Sequence, residues 1–208
     1  MSGGGLIRAC AAGLFALLAL GGCEEASRTA LRGLELSGNV AALPPQLVDR
    51  DRLDVMLPAR GARARLGPVA RTGDVTVWQT LDGITLSMRR GLLIATRGLG
   101  DDLMSAEVDG LLALLRGAAG AGAERAAGPV PHIRSRLDGE DRTEFRSYQC
   151  TRVAVTPEAG LRRVEILCVS PQDRFANSYW MDAAGTVIRS RQWIGPASGY
   201  MESTWISG

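Results

Sequence analysis

The chain contains no lysine: its 24 basic residues are all arginine. A Walker-type phosphate loop needs a lysine and is excluded. Histidine occurs once, at His132, which rules out a multi-histidine metal centre. No Gly-x-Ser-x-Gly elbow is present to offer a nucleophile to that histidine. The longest apolar run near the start, Ala11 to Leu20, has ten residues. That is short of the ~20 needed to cross a ~30 Å hydrocarbon layer. Charge of either sign is in small excess only, +2 net, so a nucleic-acid partner has no electrostatic basis. What is present is 208 residues with 46% hydrophobic and 22% charged side chains. Such a chain forms one large domain or two small ones and needs no disulfide to fold.

The amino end reads as an address. Arg8 precedes the Ala11–Leu20 run, which suits the core of a secretory signal. Leu20-Gly21-Gly22-Cys23 then resembles a bacterial lipobox, with small residues ahead of a cysteine whose sulfur carries lipid. Residues 1–22 are therefore expected to be a lipoprotein signal peptide, Cys23 the lipid-attachment site, and 23–46 a tether. Acyl chains contribute ~0.8 kcal/mol per buried CH₂, so a multiply acylated cysteine is a lasting anchor. Glu24 stands where aspartate would retain a lipoprotein at the inner membrane. The expected location is the periplasmic face of the outer membrane.

With Cys10 in the signal and Cys23 lipidated, Cys150 and Cys168 remain, an even pair in an oxidising compartment. Glu144–Val155 and Leu161–Val169 alternate like strands around a Pro157-Glu158-Ala159-Gly160 turn. With Ala159 as the apex of a three-residue loop, the two cysteines stand directly opposite. A disulfide there, with Cα atoms ~4.4–6.8 Å apart, closes a loop worth ~3 kcal/mol. Two buried free thiols are the other reading.

Strand-like runs fill the rest of residues 47–208: Leu53–Leu57, Ala62–Leu66, Val75–Thr80, Ile84–Met88 and Leu92–Thr96, then His132–Leu137, Asn177–Met181, Val187–Trp193 and Tyr200–Ile206. One helix is expected over Asp101–Leu115, capped by Asp101 or Asp102, its apolar face formed by Leu103, Met104, Val108, Leu111, Leu112 and Leu115. The Gly/Ala-rich stretch from Gly117 to Gly128 separates two halves, about 47–116 and 129–208, as a flexible connector. The fold class is mainly β, with α+β as the variant. Antiparallel strands form curled sheets or a sandwich with one amphipathic helix. A Trp-x₄-Gly spacing recurs at Trp78–Gly83 and Trp180–Gly185, more simply as two independent hairpins than as a duplication.

Gly98-Leu99-Gly100 is followed by two aspartates that repel phosphate, so it reads as an ordinary turn. His132 reads as a structural or surface residue. Carboxylates are plentiful but fall mostly in turns, where aspartate bonds local backbone. The aromatic residues admit two readings, core packing or a face for sugar rings. The candidates for glycan or partner contact are Trp78, Arg97, Tyr179, Trp180 and Trp193.

Two segments carry a resemblance. One runs from Trp78-Gln79-Thr80-Leu81-Asp82-Gly83 through Arg90-Gly91 to Ala95-Thr96-Arg97-Gly98-Leu99-Gly100-Asp101-Asp102-Leu103. The other comprises Tyr148-Gln149-Cys150, Phe175 to Asp182, Gly185, and Ser190-Arg191-Gln192-Trp193-Ile194-Gly195-Pro196. With the lipobox, these resemble the YjbF family, the group 4 capsule lipoproteins. The resemblance implies an outer-membrane lipoprotein made alongside exopolysaccharide or capsule export machinery, and it carries over no catalytic residues. The expected function is a non-enzymatic, lipid-anchored accessory protein of exopolysaccharide secretion, with polysaccharide and export proteins as partners and no cofactor or metal. The rivals are an envelope glycan-modifying enzyme with a carboxylate pair, and a lipid or lipoprotein carrier with an apolar cavity.

Overall fold

Short alternating runs separated by glycine-marked turns pair with their neighbours in sequence, and that pattern accounts for most of the architecture. The computed structural model describes residues 51–118, 127–137, 140 and 142–208. The expected signal peptide, Cys23, the expected tether and the body of the Gly/Ala-rich stretch lie outside the described residues. The elements are β1 (Arg52–Leu57), β2 (Ala62–Thr72), β3 (Val75–Gln79), β4 (Thr85–Arg89), β5 (Leu92–Arg97), β6 (Leu103–Ala106), α1 (Asp109–Gly117), β7 (Ala127–Leu137), β8 (Thr143–Glu158), β9 (Leu161–Val169), β10 (Arg174–Met181), β11 (Val187–Gly195) and β12 (Gly199–Ile206).

All twelve described strands join one sheet in the order β5-β4-β3-β2-β1-β12-β11-β10-β9-β8-β7-β6. Every pairing is antiparallel. The two edges, β5 and β6, follow one another in the chain, so the sheet curls into a nearly closed barrel. Side chains join this seam where a backbone ladder is missing. The Arg97 guanidinium donates to the Leu103 carbonyl at 3.2 Å, and the Leu103 N–H donates to Thr96 Oγ1 at 3.0 Å. From across the interior, Gln192 on β11 satisfies the free edge of β5. It accepts from the Leu93 N–H and donates to the Gly91 carbonyl, both at 2.9 Å. Both devices cover an edge that would otherwise pair with another chain.

The expected helix over Asp101–Leu115 is corrected: its first part is strand β6, and helix begins only at Asp109. Short apolar runs are ambiguous between the two states, and pairing with β7 decides for strand. Asp102 closes the turn between β5 and β6, accepting from Thr96 Oγ1 and from the Gly98 and Leu99 N–H groups, and caps no helix. α1 lies against the inner faces of β7 and β8. It buries Leu111, Leu112, Leu114 and Leu115 with Cys150, Ile166, Cys168, Phe175 and Tyr179. A second apolar cluster holds Leu53, Leu66, Trp78, Leu86, Met88, Ile194 and Met201.

Cys150 and Cys168 form a disulfide between facing residues of β8 and β9. Their Cα atoms are 4.0 Å apart, below the expected spread and nearest to the ~4.5 Å of a directly opposed non-hydrogen-bonded pair. The route to that register differs from the expected one. The loop has two residues, Ala159 and Gly160, both at positive φ (51° and 79°), with Glu158 facing Leu161. A bulge at Val153 absorbs the extra residue and restores the opposition of the cysteines. The two Trp-x₄-Gly segments share a turn and nothing more. In each, the residue two after the tryptophan accepts through its side chain from the N–H four residues on: Ile84 to Thr80, and Thr186 to Asp182. Trp78 faces inward, whereas Trp180 lies between the two inward residues Tyr179 and Met181.

Candidate functional site

A sheet closed on itself has two open ends. At one of them β2, β4 and β12 finish while β1, β3, β5 and β11 begin, and a groove of about 440 Å³ lies there. Leu53, Trp78, Met88, Val187 and Trp205 supply its apolar lining, and Arg71, Arg90, Arg189, Asp51 and Asp74 its charges. The inward alternation of each strand brings Leu53, Trp78 and Met88 to one surface. Gly91 lets β11 come close at this end. A Cβ there would lie 2.7 Å from that of Val187, and its φ of 86° suits glycine alone.

Four of these five charges are paired, and Arg189 lies over the Trp180 ring. Arg71 meets Asp51 at 2.5 Å, and Asp74 takes Arg89 at 3.0 Å and Arg90 at 3.2 Å. The Arg71 hydrogen bond outweighs burial and holds the Asp51 carboxyl below its ordinary range. Arg89 does the same for Asp74. Neither is placed to give up a proton near neutral pH, as a glycosidase acid must. Arg89 also bonds Asp109 at the start of α1, so the groove's wall is tied to the helix beside it. Among the described residues no group of three or more His, Cys, Asp or Glu could hold a metal ion. Chemically, the groove offers indole and aliphatic surface ringed by fixed donors and acceptors, which suits rings with one apolar face and many hydroxyls.

The structure does not bring the five expected contact residues together. Trp78 lines the groove but is only 5% exposed, offering an edge at most. Tyr179 is 0% exposed in the core, its hydroxyl bonded to Gln192 and Asn177, and is no contact residue. Trp180 is 7% exposed, clamped by Arg189 at 4.6 Å and Arg163 at 5.5 Å from its ring. Both cations lie over its ring. Arg97 works at the barrel seam. Trp193 is half-buried at the opposite end of the barrel, so it forms no shared platform with Trp180. Trp205, half-buried on β12, is the groove aromatic absent from the expected set. Its signal was alternation with Met201 and Ser203, which share its inward face.

The sequence matches the family described as group 4 capsule polysaccharide lipoprotein gfcB, YjbF, over residues 46–206. The chain belongs to this family. Its members are capsule-associated lipoproteins, which places them in the cell envelope. Among solved structures, the hypothetical lipoprotein YmcC from Escherichia coli K12 shares the fold at a TM-score of 0.60 with 20% identity, covering 79% of this chain and 90% of that one. No curated protein matches the sequence at a significant level.

Proposed function

We propose that this YjbF-family protein is a lipid-anchored accessory protein of capsule or exopolysaccharide export. It is held at the periplasmic face of the outer membrane through Cys23 and binds a stretch of polysaccharide in the Trp78–Trp205 groove. The observation that carries the reading is that groove: about 440 Å³, the half-buried Trp205 indole beside the edge of Trp78, and arginine–aspartate pairs fixed around an apolar floor. It favours binding over turnover, because both carboxylates are pinned by arginine in their ionised form. It favours sugar over an acyl chain, because five charged side chains line it. No described helix is long and apolar enough to cross a membrane, so attachment in this reading rests on the lipid.

The test pairs a groove variant with an anchor variant. Trp205→Ala should weaken binding of the producing strain's capsule oligosaccharide about tenfold, by calorimetry, while leaving the thermal midpoint within a few degrees of the parent. Cys23→Ser should release the protein from the membrane fraction and lower surface polymer while keeping oligosaccharide affinity. A folded Trp205→Ala protein that binds the oligosaccharide as well as the parent would defeat the groove reading. Oligosaccharide cleavage by the parent, lost on replacing Asp51 or Asp74, would replace it with an enzyme.

A further inference from the structure

At the other end of the barrel, a smaller cleft of about 190 Å³ opens where β7, β8 and β11 meet the loops after β5, β9 and β11. At ~30 Å³ per water it holds about six waters, room for one ring-sized group and not for a polymer. Three arginines and three carboxylates line it, and all but one are matched. Arg136 donates to Asp101 at 2.6 Å. Arg146 donates to Glu144 at 2.7 Å and to Asp173 at 3.1 Å. Asp173 is half-buried, and burial raises its carboxyl. Bonds from Ser170, Tyr148 and Arg146 prevail and keep it below the ordinary range.

Arg134 is the exception. It is 4% exposed, and no carboxylate of a described residue lies in ion-pair range of it. Its Nη2 donates to the carbonyls of Trp193 at 3.0 Å and Ile194 at 2.7 Å, and its guanidinium carbon stands 5.2 Å from the centre of the Phe175 ring. Its Nε is buried without a partner. Nη1 makes no hydrogen bond to a described residue, and Arg134 lines the cleft. Burial, reinforced by the neighbouring Arg136 charge, lowers its pKa to about 10, so it is still a cation at neutral pH. A buried cation answered only by carbonyls and a ring is costly, and an incoming anion would relieve that cost. Beside it stands Trp193, half-buried, its ring near-parallel to Phe175 at 6.4 Å and steeply tilted to Tyr200 at 5.1 Å between ring centres.

We propose that this cleft binds a single sugar acid, its carboxylate on Arg134 and its pyranose ring against the part of Trp193 that lines the cleft. The site is independent of the groove: it takes one acidic residue where the groove takes a stretch of chain.

Calorimetric titration of the full chain with glucuronate, glucose and inorganic phosphate tests it. Glucuronate should bind saturably in the millimolar range or tighter, with glucose and phosphate at least about tenfold weaker. Arg134→Gln removes the charge while leaving a polar amide near the Nε position, and should lose glucuronate about tenfold or more. Because Arg134 is buried, Trp193→Leu is the second variant, with the same loss expected and thermal melts confirming the fold. Trp205→Ala should leave glucuronate binding unchanged, which separates failure here from failure at the groove. No glucuronate binding by the parent overturns the proposal. So does unchanged binding by either folded cleft variant. Equal binding of phosphate reduces the cleft to a general anion site, and equal binding of glucose removes the role of Arg134; either outcome overturns it.

Discussion

His132 shows how burial sets the chemistry of one side chain. It is 3% exposed, with Nδ1 2.6 Å from the Glu107 carbonyl oxygen. A carbonyl only accepts, so the ring carries a proton on Nδ1. Burial, and after it the Arg134 charge, lowers its pKa from 6.5 to about 4, against the opposing Glu107 bond. Its folded pKa is depressed, so the unfolded chain binds the proton first as pH falls. The stability from a neutral His132 is complete above pH ~6.5 and is lost between there and pH ~4. At ~1.36 kcal/mol per pKa unit this predicts a fall of roughly 2.5 kcal/mol between pH 7.5 and 4.5. Urea unfolding at the two values measures it. The chain has no other histidine, so His132→Gln should be nearly flat across the same window. A steep fall in that variant too would place the titration elsewhere. The sequence reading of His132 as structural or surface left this choice open, because burial is a property of the closed barrel and not of the Pro131-His132 step.

At the level of elements, local chemistry was a good guide wherever strands met through short turns. The boundaries of Leu161–Val169 coincide with β9, and the cysteine register followed from the turn position. The turn itself was misjudged by one residue, and Val153 corrected for it. Ala159 stands at φ 51°, in a two-residue hairpin loop that favours asparagine followed by glycine. Ala159→Asn should therefore raise stability by ~0.5–1 kcal/mol without moving the disulfide, and equilibrium denaturation would show it. A loss of stability would mean that the loop is not of this type. Strand β6 escaped notice because Leu103 and Met104 also fit a helical stripe with Val108 and Leu111. Only the partner strand, thirty residues along the chain, distinguishes the two states.

The whole molecule depends on how the seam between β5 and β6 closes. Thr96 is 0% exposed and is the acceptor for the Leu103 N–H and the donor to Asp102. Thr96→Val keeps the shape and leaves a buried N–H unpaired, at a cost of ~1–3 kcal/mol. Hydrogen exchange should accelerate at Leu103 and along β6 while β9 and β10 remain protected. Uniform acceleration would mean that the seam is not a separate unit. Arg97 is exposed, so water can replace it at the Leu103 carbonyl and Arg97→Ala should cost less, about 1 kcal/mol.

The sequence by itself determined the β class, nearly all the strands, the hairpin order and the cysteine pair, because alternation and turn chemistry act between residues close in the chain. Tertiary structure decided which face of each strand is interior. On β7 and β8 the usual rule is inverted: Ile133, Leu137 and Phe145 are 45%, 44% and 70% exposed, while Arg134 is buried and Arg136 and Arg146 point into the cleft. Period-two alternation tells that neighbours face opposite ways but not which way is in. That is set by the curl of the whole sheet, which turns these arginines inward at one end of the barrel and brings Trp205 beside Trp78 at the other.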